Sequence, residues 1–299
     1  MAAMRRALTL MELLIVVAIL AAVVLLLLPA IQKVRESALM AQSLNNLRQI
    51  GLACHQLADA NQGRLPGHTD YGSAYRHSTL LELLPYLESL PTYQYIDRQM
   101  ILPPEVEWQL PVRVYVSPID PTRGMATPAL TSLLGTYNPE KLSASSYAIN
   151  AHFFISQPVL RNITDGLSQT IWFSEHYAWN CGGVAFIYTT GTAQGPGGSW
   201  EPVQPATFAH ATSQGRPLPG DYVPLTFGNP PVSTVEGGVL FQVRPRIDEC
   251  NPRLPNAASA RGLQVGVADG STRLLTPSIS PPTFWGLVTH NGGEFLGDW

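Results

Sequence analysis

The chain has 299 residues, room for an anchoring segment plus one large or two small domains. A formal net charge of −3 with only 13% charged residues excludes the basic footprint of a nucleic-acid binder. Its 25 glycines and 26 prolines follow no repeat, which excludes a collagen-like chain and suits a loop-rich β domain.

Arg5 and Arg6 precede an almost unbroken apolar run, Leu8 to Leu28, with Glu12 set inside its front. The run is about the ~20 residues needed to cross a ~30 Å hydrocarbon core, which argues against a buried core helix. A secretory signal peptide wants small residues at the end of its apolar region, but Leu28 stands third before a cut after Ala30. A plain membrane anchor explains the length and the arginines but not Glu12, since a carboxylate there costs about 2.5–3.5 kcal/mol on insertion scales. The two arginines place the N-terminus in the cytoplasm and everything after Ala30 across the inner membrane. The Arg-Arg, apolar run and Glu12 together resemble the class III signal of type IV prepilins and pseudopilins. That resemblance implies cleavage by a cytoplasmic prepilin peptidase between Ala7 and Leu8 and N-methylation of the new terminus. Glu12 is then the fifth residue of the mature chain. Ala7 stands where this family usually has Gly.

Pro29 follows, at the position where type IV pilins bend their long helix; proline removes one backbone hydrogen bond and a kink is expected. Beyond it Ile31, Val34, Ala38, Ala41, Leu44, Leu47, Ile50, Cys54 and Leu57 form one apolar stripe on a helical period. Gly63 and Pro66 close the element. A helix from Leu8 to Ala60 would be about 80 Å long at ~1.5 Å per residue. The expected organisation is a leader at 1–7, a transmembrane helix at 8–30, an amphipathic extension at 31–62 and an extracytoplasmic α+β domain at 63–299.

Ser78 can cap a short helix carrying Leu80, Leu81, Leu83 and Leu84, with Pro85 near its end. Val112–Val116 alternates and is β-branched, so it reads as a strand. Ser146–Ala151, Thr170–Glu175, Gly183–Thr190 and Gly238–Val243 are further strand candidates, and Asp165-Gly166 marks a turn. Gly191–Pro231 reads as a long surface loop region. Leu263, Val265 and Val267 alternate with Gln264 and Gly266 as a half-buried strand. Asp269-Gly270 then makes a tight hairpin turn into Thr272–Leu275. Ser280-Pro281 opens a helix with Phe284, Trp285, Leu287 and Val288 on its buried face, ended by Gly292-Gly293.

Several of these stretches match a large pseudopilin-like family that joins a prepilin-type segment to a domain of unknown function. They are Pro29–Gln32, Asn45–Gly51, Ile163–Thr170 with Glu175, Ala268–Ser271 and Gly292–Glu294. The family resembles the G-type major pseudopilin of type II secretion and carries a C-terminal signature of His, nine residues, Asp-Gly. Here Ser259 replaces that His, so no role is carried over to it. The resemblance implies a pilin-like fold, a long N-terminal helix packed on an antiparallel sheet. It also implies membrane association, assembly with other pilin-like subunits and no catalysis.

The chemistry of the remaining residues is sparse. No His-Glu-x-x-His spacing occurs, and Glu175 and His176, adjacent on a strand, point to opposite faces. No nucleophile elbow appears, and Gly197-Gly198-Ser199 lacks the required strand-to-helix context. The chain is therefore expected not to be an enzyme and to need no cofactor. Asp165, Asp269 and Asp298 are candidate oxygen ligands for Ca²⁺, which G-type pseudopilins bind in a C-terminal loop; Asp-Gly is first of all a turn signal. Trp172, Trp179, Trp200 and Trp285 can form a sugar-binding surface or, in the simpler reading, pack in a core. The three cysteines include no Cys-x-x-Cys pair. Outside the cytoplasm Cys181 and Cys250 can pair; the alternative is three unpaired buried thiols. The expected role is a structural subunit of a secretion-associated or surface filament. The alternative is an anchored surface protein that holds a glycan or protein ligand through Gly191–Pro231 and does not assemble.

Overall fold

Helix α1 (Leu10–Ala60) is the longest element of the computed structural model. The structure describes residues 10–67, 78–87, 89, 91, 93–94, 111–125, 140, 142–154, 158–179, 181, 184–187, 193–194, 200–201, 203–205, 207–208, 239–251, 254–293, 296 and 299. The chain divides into two units, 1–41 and 42–299, and the division falls inside α1. In the first unit every residue from Leu10 to Leu28 is exposed, and the helix runs through Pro29 without interruption. Among the described residues α1 is the one helix long and apolar enough to cross a membrane. A helix that is apolar all round needs lipid or a protein core, and this segment is not buried, which is what a single-pass anchor requires.

In the second unit α1 becomes one-sided. Leu47, Ile50, Cys54 and Leu57 are buried, while Arg48, Gln49, Gln56 and Asp59 are exposed, as the apolar stripe dictates. The buried face meets a five-stranded sheet in the order β11-β10-β2-β1-β7. Its strands are β1 (Tyr147–Asn150), β2 (Ile171–Glu175), β7 (Thr207–Phe208), β10 (Leu263–Val267) and β11 (Thr272–Leu275). All pairings are antiparallel except β1 with β7, which is parallel. Successive residues of a strand point to opposite faces, and the core divides accordingly. Tyr147 and Ile149 join Leu47 and Ile50 of α1 in one apolar cluster. Ala148, Leu263 and Val265 join Phe284, Leu287 and Val288 of the C-terminal helix (Pro281–Val288) in the other. The unit is α+β, with a helix on each face of the sheet.

That sandwich explains why β10 is buried at every residue rather than half-buried as its alternation suggests. Gly266 packs directly on the neighbouring strand: a Cβ there would stand 3.4 Å from Phe173 side-chain carbons. The β10–β11 hairpin forms at Asp269-Gly270, where Gly270 takes a φ of 81°.

Elsewhere the local signals are overruled. Val112–Val116 is not a strand: Arg113–Tyr115 forms a 3-10 turn. The turn drives Tyr115 fully inside, where its hydroxyl donates to the Leu80 carbonyl. The expected Ser78 helix is only α2 (Thr79–Glu82) followed by a 3-10 turn at Leu84–Tyr86, and the Ser78 hydroxyl does not cap it. Among its described residues, Gly183–Thr190 contributes β3 (Val184–Phe186). Among its described residues, Gly238–Val243 contributes β8 (Gln242–Val243), which pairs with β9 (Asn256–Ala257). The stretch expected to be loop from Gly191 contains β4 (Ala193–Gln194), β5 (Trp200–Glu201), β6 (Val203–Pro205) and β7. Burial of Phe208 and pairing of β7 with β1 draw that segment into the sheet. A short helix at Ala151–Phe154, α3, follows β1, so the C-terminal helix is α4. Ser280 caps α4 by accepting from the Thr283 N–H at 3.2 Å. The helix ends at Val288, four residues before the glycines expected to stop it.

Candidate functional site

The face of α1 within the second unit carries two polar residues among its apolar ones, Ser43 and Asn46, and both are buried. A buried hydroxyl or amide must find partners, so the sheet supplies them. Ser43 Oγ lies 3.0 Å from the Tyr147 hydroxyl and accepts from Ser117 Oγ at 3.0 Å. It also donates to Glu175 Oε1 at 3.5 Å. Asn46 Nδ2 donates to the Val116 carbonyl and to the Tyr147 hydroxyl, each at 3.3 Å.

Glu175 is 1% exposed at the end of β2, and its Oε2 accepts from the Gln264 N–H at 3.2 Å. Burial raises its pKa to about 8 against the pull of that hydrogen bond, and the Asp120 charge pushes the same way as burial. At neutral pH the group is thus mostly protonated, and both of its oxygens are engaged in hydrogen bonds. Asp120 is buried too. Its Oδ1 accepts from Thr122 N and Thr122 Oγ1, and its Oδ2 from Ser146 Oγ and Ala178 N. Four donors lower its pKa but burial outweighs them. This network joins α1 to four separate segments of the domain, at Val116–Thr122, Ser146–Tyr147, Glu175–Ala178 and Gln264.

A second cluster joins stretches that lie far apart in sequence. Asp165 holds the C-terminal glycines: its two oxygens accept from Gly292 N and Gly293 N, each at 2.8 Å. In return the His290 carbonyl accepts from Thr164 N and Asp165 N. Asn150 Nδ2 ties β1 to β2 and α4 by donating to the Ile171 and Val288 carbonyls. The rings of His152 and His290 stand 5.8 Å apart, and the Nδ1 of each is buried without a partner among the described residues. Burial lowers both pKa values; His290 lowers that of His152 further, and Asp165 partly restores that of His290. At the hairpin, the Ala268 carbonyl lies 2.8 Å from His55 Nε2 on α1, and the Ala268 N–H reaches the Thr170 carbonyl.

Ala7, Leu8 and Asp298 lie outside the described residues. Glu12 sits in the first turn of α1 and Pro29 inside it. Asp165 and Asp269 do not converge: Asp269 Oδ1 accepts from Ser271 N within its own turn. No three His, Cys, Asp or Glu side chains among the described residues form a metal-binding group. Trp172 and Trp179 are fully buried, which removes them from any sugar-binding surface, and Trp285 packs against the α4-side core; the side chain of Trp200 lies outside the described residues. Cys181 and Cys250 are joined in a disulfide, and Cys54 is a free, buried thiol. Ser259 is 2% exposed, and its Oγ accepts from Arg261 N at 3.2 Å. Sequence reasoning did not find Ser43, Asp120 or Tyr147. Their only local signals were polar residues on an apolar stripe and an Asp between two prolines.

A family model described as a protein of unknown function (DUF1559) matches residues 32–281. No curated protein and no solved structure matches the chain.

Proposed function

Because the chain belongs to the DUF1559 family, whose match spans the helix extension and most of the α+β unit, we propose that it is a pilin-like surface subunit that works by assembly. The observation that carries this reading is α1 itself: one unbroken helix of 51 residues that changes from exposed apolar residues to a clamped core face. An anchor alone needs no such continuity, because a flexible linker would serve equally well. A helix that continues from the lipid segment into the domain core suits a subunit whose neighbours pack laterally along it. In this reading prepilin peptidase cuts between Ala7 and Leu8, the domain lies across the inner membrane from the cytoplasm, and the subunits form a secretion-associated or surface filament. No catalytic step is involved.

Glu12 supplies the test. Its carboxylate is costly in lipid, and the amine of Leu8 on a neighbouring subunit offsets that cost in a setting where water is scarce. The amine exists only after cleavage, so processing and assembly are coupled. Mass spectrometry of the native N-terminal peptide should find an N-methylated Leu8. Glu12→Ala should stay inserted while cysteine crosslinking along Leu10–Leu28 falls several-fold. An intact N-terminus, or undiminished crosslinking in the variant, would refute the assembly role.

A further inference from the structure

The polypeptide leaves α1 through a turn that bears strain. Gln62 has a φ of 59°, a left-handed conformation that favours glycine, and Gly63 follows at 82°. The N–H of Gly63 reaches back to the Ala58 carbonyl at 2.7 Å, closing the helix end. Beside this turn lies an open cleft of about 720 Å³ whose described lining includes the polar residues Asn61, Gln62, Arg64, Arg161 and Glu82. Leu57, Leu65 and Val159 are among its apolar lining residues. Backbone pairing makes the cleft a built feature: Arg64 and Val159 form an antiparallel bridge. The Leu65 N–H donates to Pro158, and the Leu160 N–H to Gly63. Both arginines are exposed, and neither guanidinium has a partner among the described residues.

We propose that this cleft binds an acidic sugar, a uronic-acid unit of a polysaccharide. Two guanidinium forks match a planar carboxylate bidentately. The charge balance among the described lining residues favours one carboxylate over a polyanion: two arginines stand against one carboxylate, Glu82, and the C-terminal end of α1 carries about −0.5 of a charge. The excess is about half a positive charge, small for phosphate and sufficient for a monoanion. Sugar hydroxyls both donate and accept, and the amides of Asn61 and Gln62 with the Glu82 carboxylate offer both kinds of partner. The apolar lining residues Leu57, Leu65 and Val159 suit the C–H face of a pyranose ring. Strain at Gln62 falls on a residue that lines the cleft, where a glycine would relieve the backbone but remove the amide. The site lies wholly within the 42–299 unit and stands whether or not the chain assembles.

The experiment is calorimetric titration of the full chain in detergent micelles with trigalacturonate, trimannuronate and a hyaluronan tetrasaccharide. At least one should bind, and its methyl ester, identical but uncharged, should bind at least tenfold more weakly. Arg64→Gln and Arg161→Gln should each weaken binding at least tenfold, and Arg→Lys at either site should restore less than half of the lost binding free energy. Both arginines are exposed, so the variants should keep the parent's fluorescence from Trp172 and Trp179. The proposal is overturned if none of the three sugars binds, if the ester binds equally, if both Gln variants bind as the parent does, or if inorganic phosphate binds as tightly.

Discussion

Glu175 gives the sharpest physical test of the fold. Buried beneath α1, its carboxyl keeps its proton to about pH 8, whereas the unfolded chain releases it near 4.5. Between those values the folded state holds one proton more than the unfolded state, so stability falls as pH rises through the window. The contribution is fully present below 4.5 and lost by about 8. At ~1.36 kcal/mol per pH unit the whole window amounts to about 5 kcal/mol, an upper bound for a site coupled to Asp120. Glu175→Gln removes the titration while keeping the geometry. The amide oxygen still accepts from the Gln264 N–H, and the amide nitrogen can donate to Ser43 Oγ. Urea unfolding of the full chain in detergent, followed by fluorescence of buried Trp172 and Trp179, should show parent and variant equal near pH 4.5. The variant should then become progressively more stable, by several kcal/mol at pH 8.5. Contributions from every other titrating group cancel in the difference to first order. A parent-minus-variant difference that stays flat from pH 4.5 to 8.5 would refute proton retention at Glu175.

Four further outcomes follow from the geometry. Gly262→Ala should destabilise by more than about 3 kcal/mol in thermal unfolding. Its φ is 139°, and an added Cβ would lie 2.1 Å from the Leu275 carbonyl oxygen. Gly51→Ala should instead gain about 0.5–1 kcal/mol, because alanine suits a helix interior and its Cβ would only touch Gly270 at 3.5 Å. NMR titration should place both His152 and His290 below 6.5, so acidification through that range weakens the fold, and His290→Phe should raise the pKa of His152 by removing a like charge. Replacing Cys181 and Cys250 with serine frees a 69-residue separation in the unfolded chain; the chain-entropy model gives a loss of about 4 kcal/mol, measurable as a lowered Tm.

The elements legible in the sequence are those whose signal is local. The α1 stripe is a 3.6-residue repeat that the chain satisfies wherever it finds an apolar surface, and Leu47, Ile50, Cys54 and Leu57 are buried as that period requires. The β10–β11 hairpin and the start of α4 follow from Asp269-Gly270 and Ser280-Pro281, each a backbone preference set by one or two residues. Val112–Val116 misleads because alternation shows which residues turn inward, not which backbone presents them; Tyr115 finds its place inside from a 3-10 turn. Asp120 was invisible for another reason. Its acceptors are filled by Ser146 and Ala178, 26 and 58 residues away, and nothing in a proline-flanked Asp announces such donors.

The same distinction changes the meaning of two glycine-containing stretches. Read locally, Asp165-Gly166 is a turn and Gly292-Gly293 a helix stop. In the structure α4 has already ended at Val288, and the two glycine amides are donors to a carboxylate 127 and 128 residues upstream. What looks like punctuation at two sites is one cross-link, completed by the His290 carbonyl taking the N–H groups of Thr164 and Asp165. Asn150 adds a bond from β1 to the last residue of α4, and Ala268 joins the hairpin to α1 through His55. Each of these bonds pairs polar groups from two distant stretches, and so fixes how those stretches meet. These residues therefore hold the domain's shape around α1, through bonds between stretches that no local pattern connects.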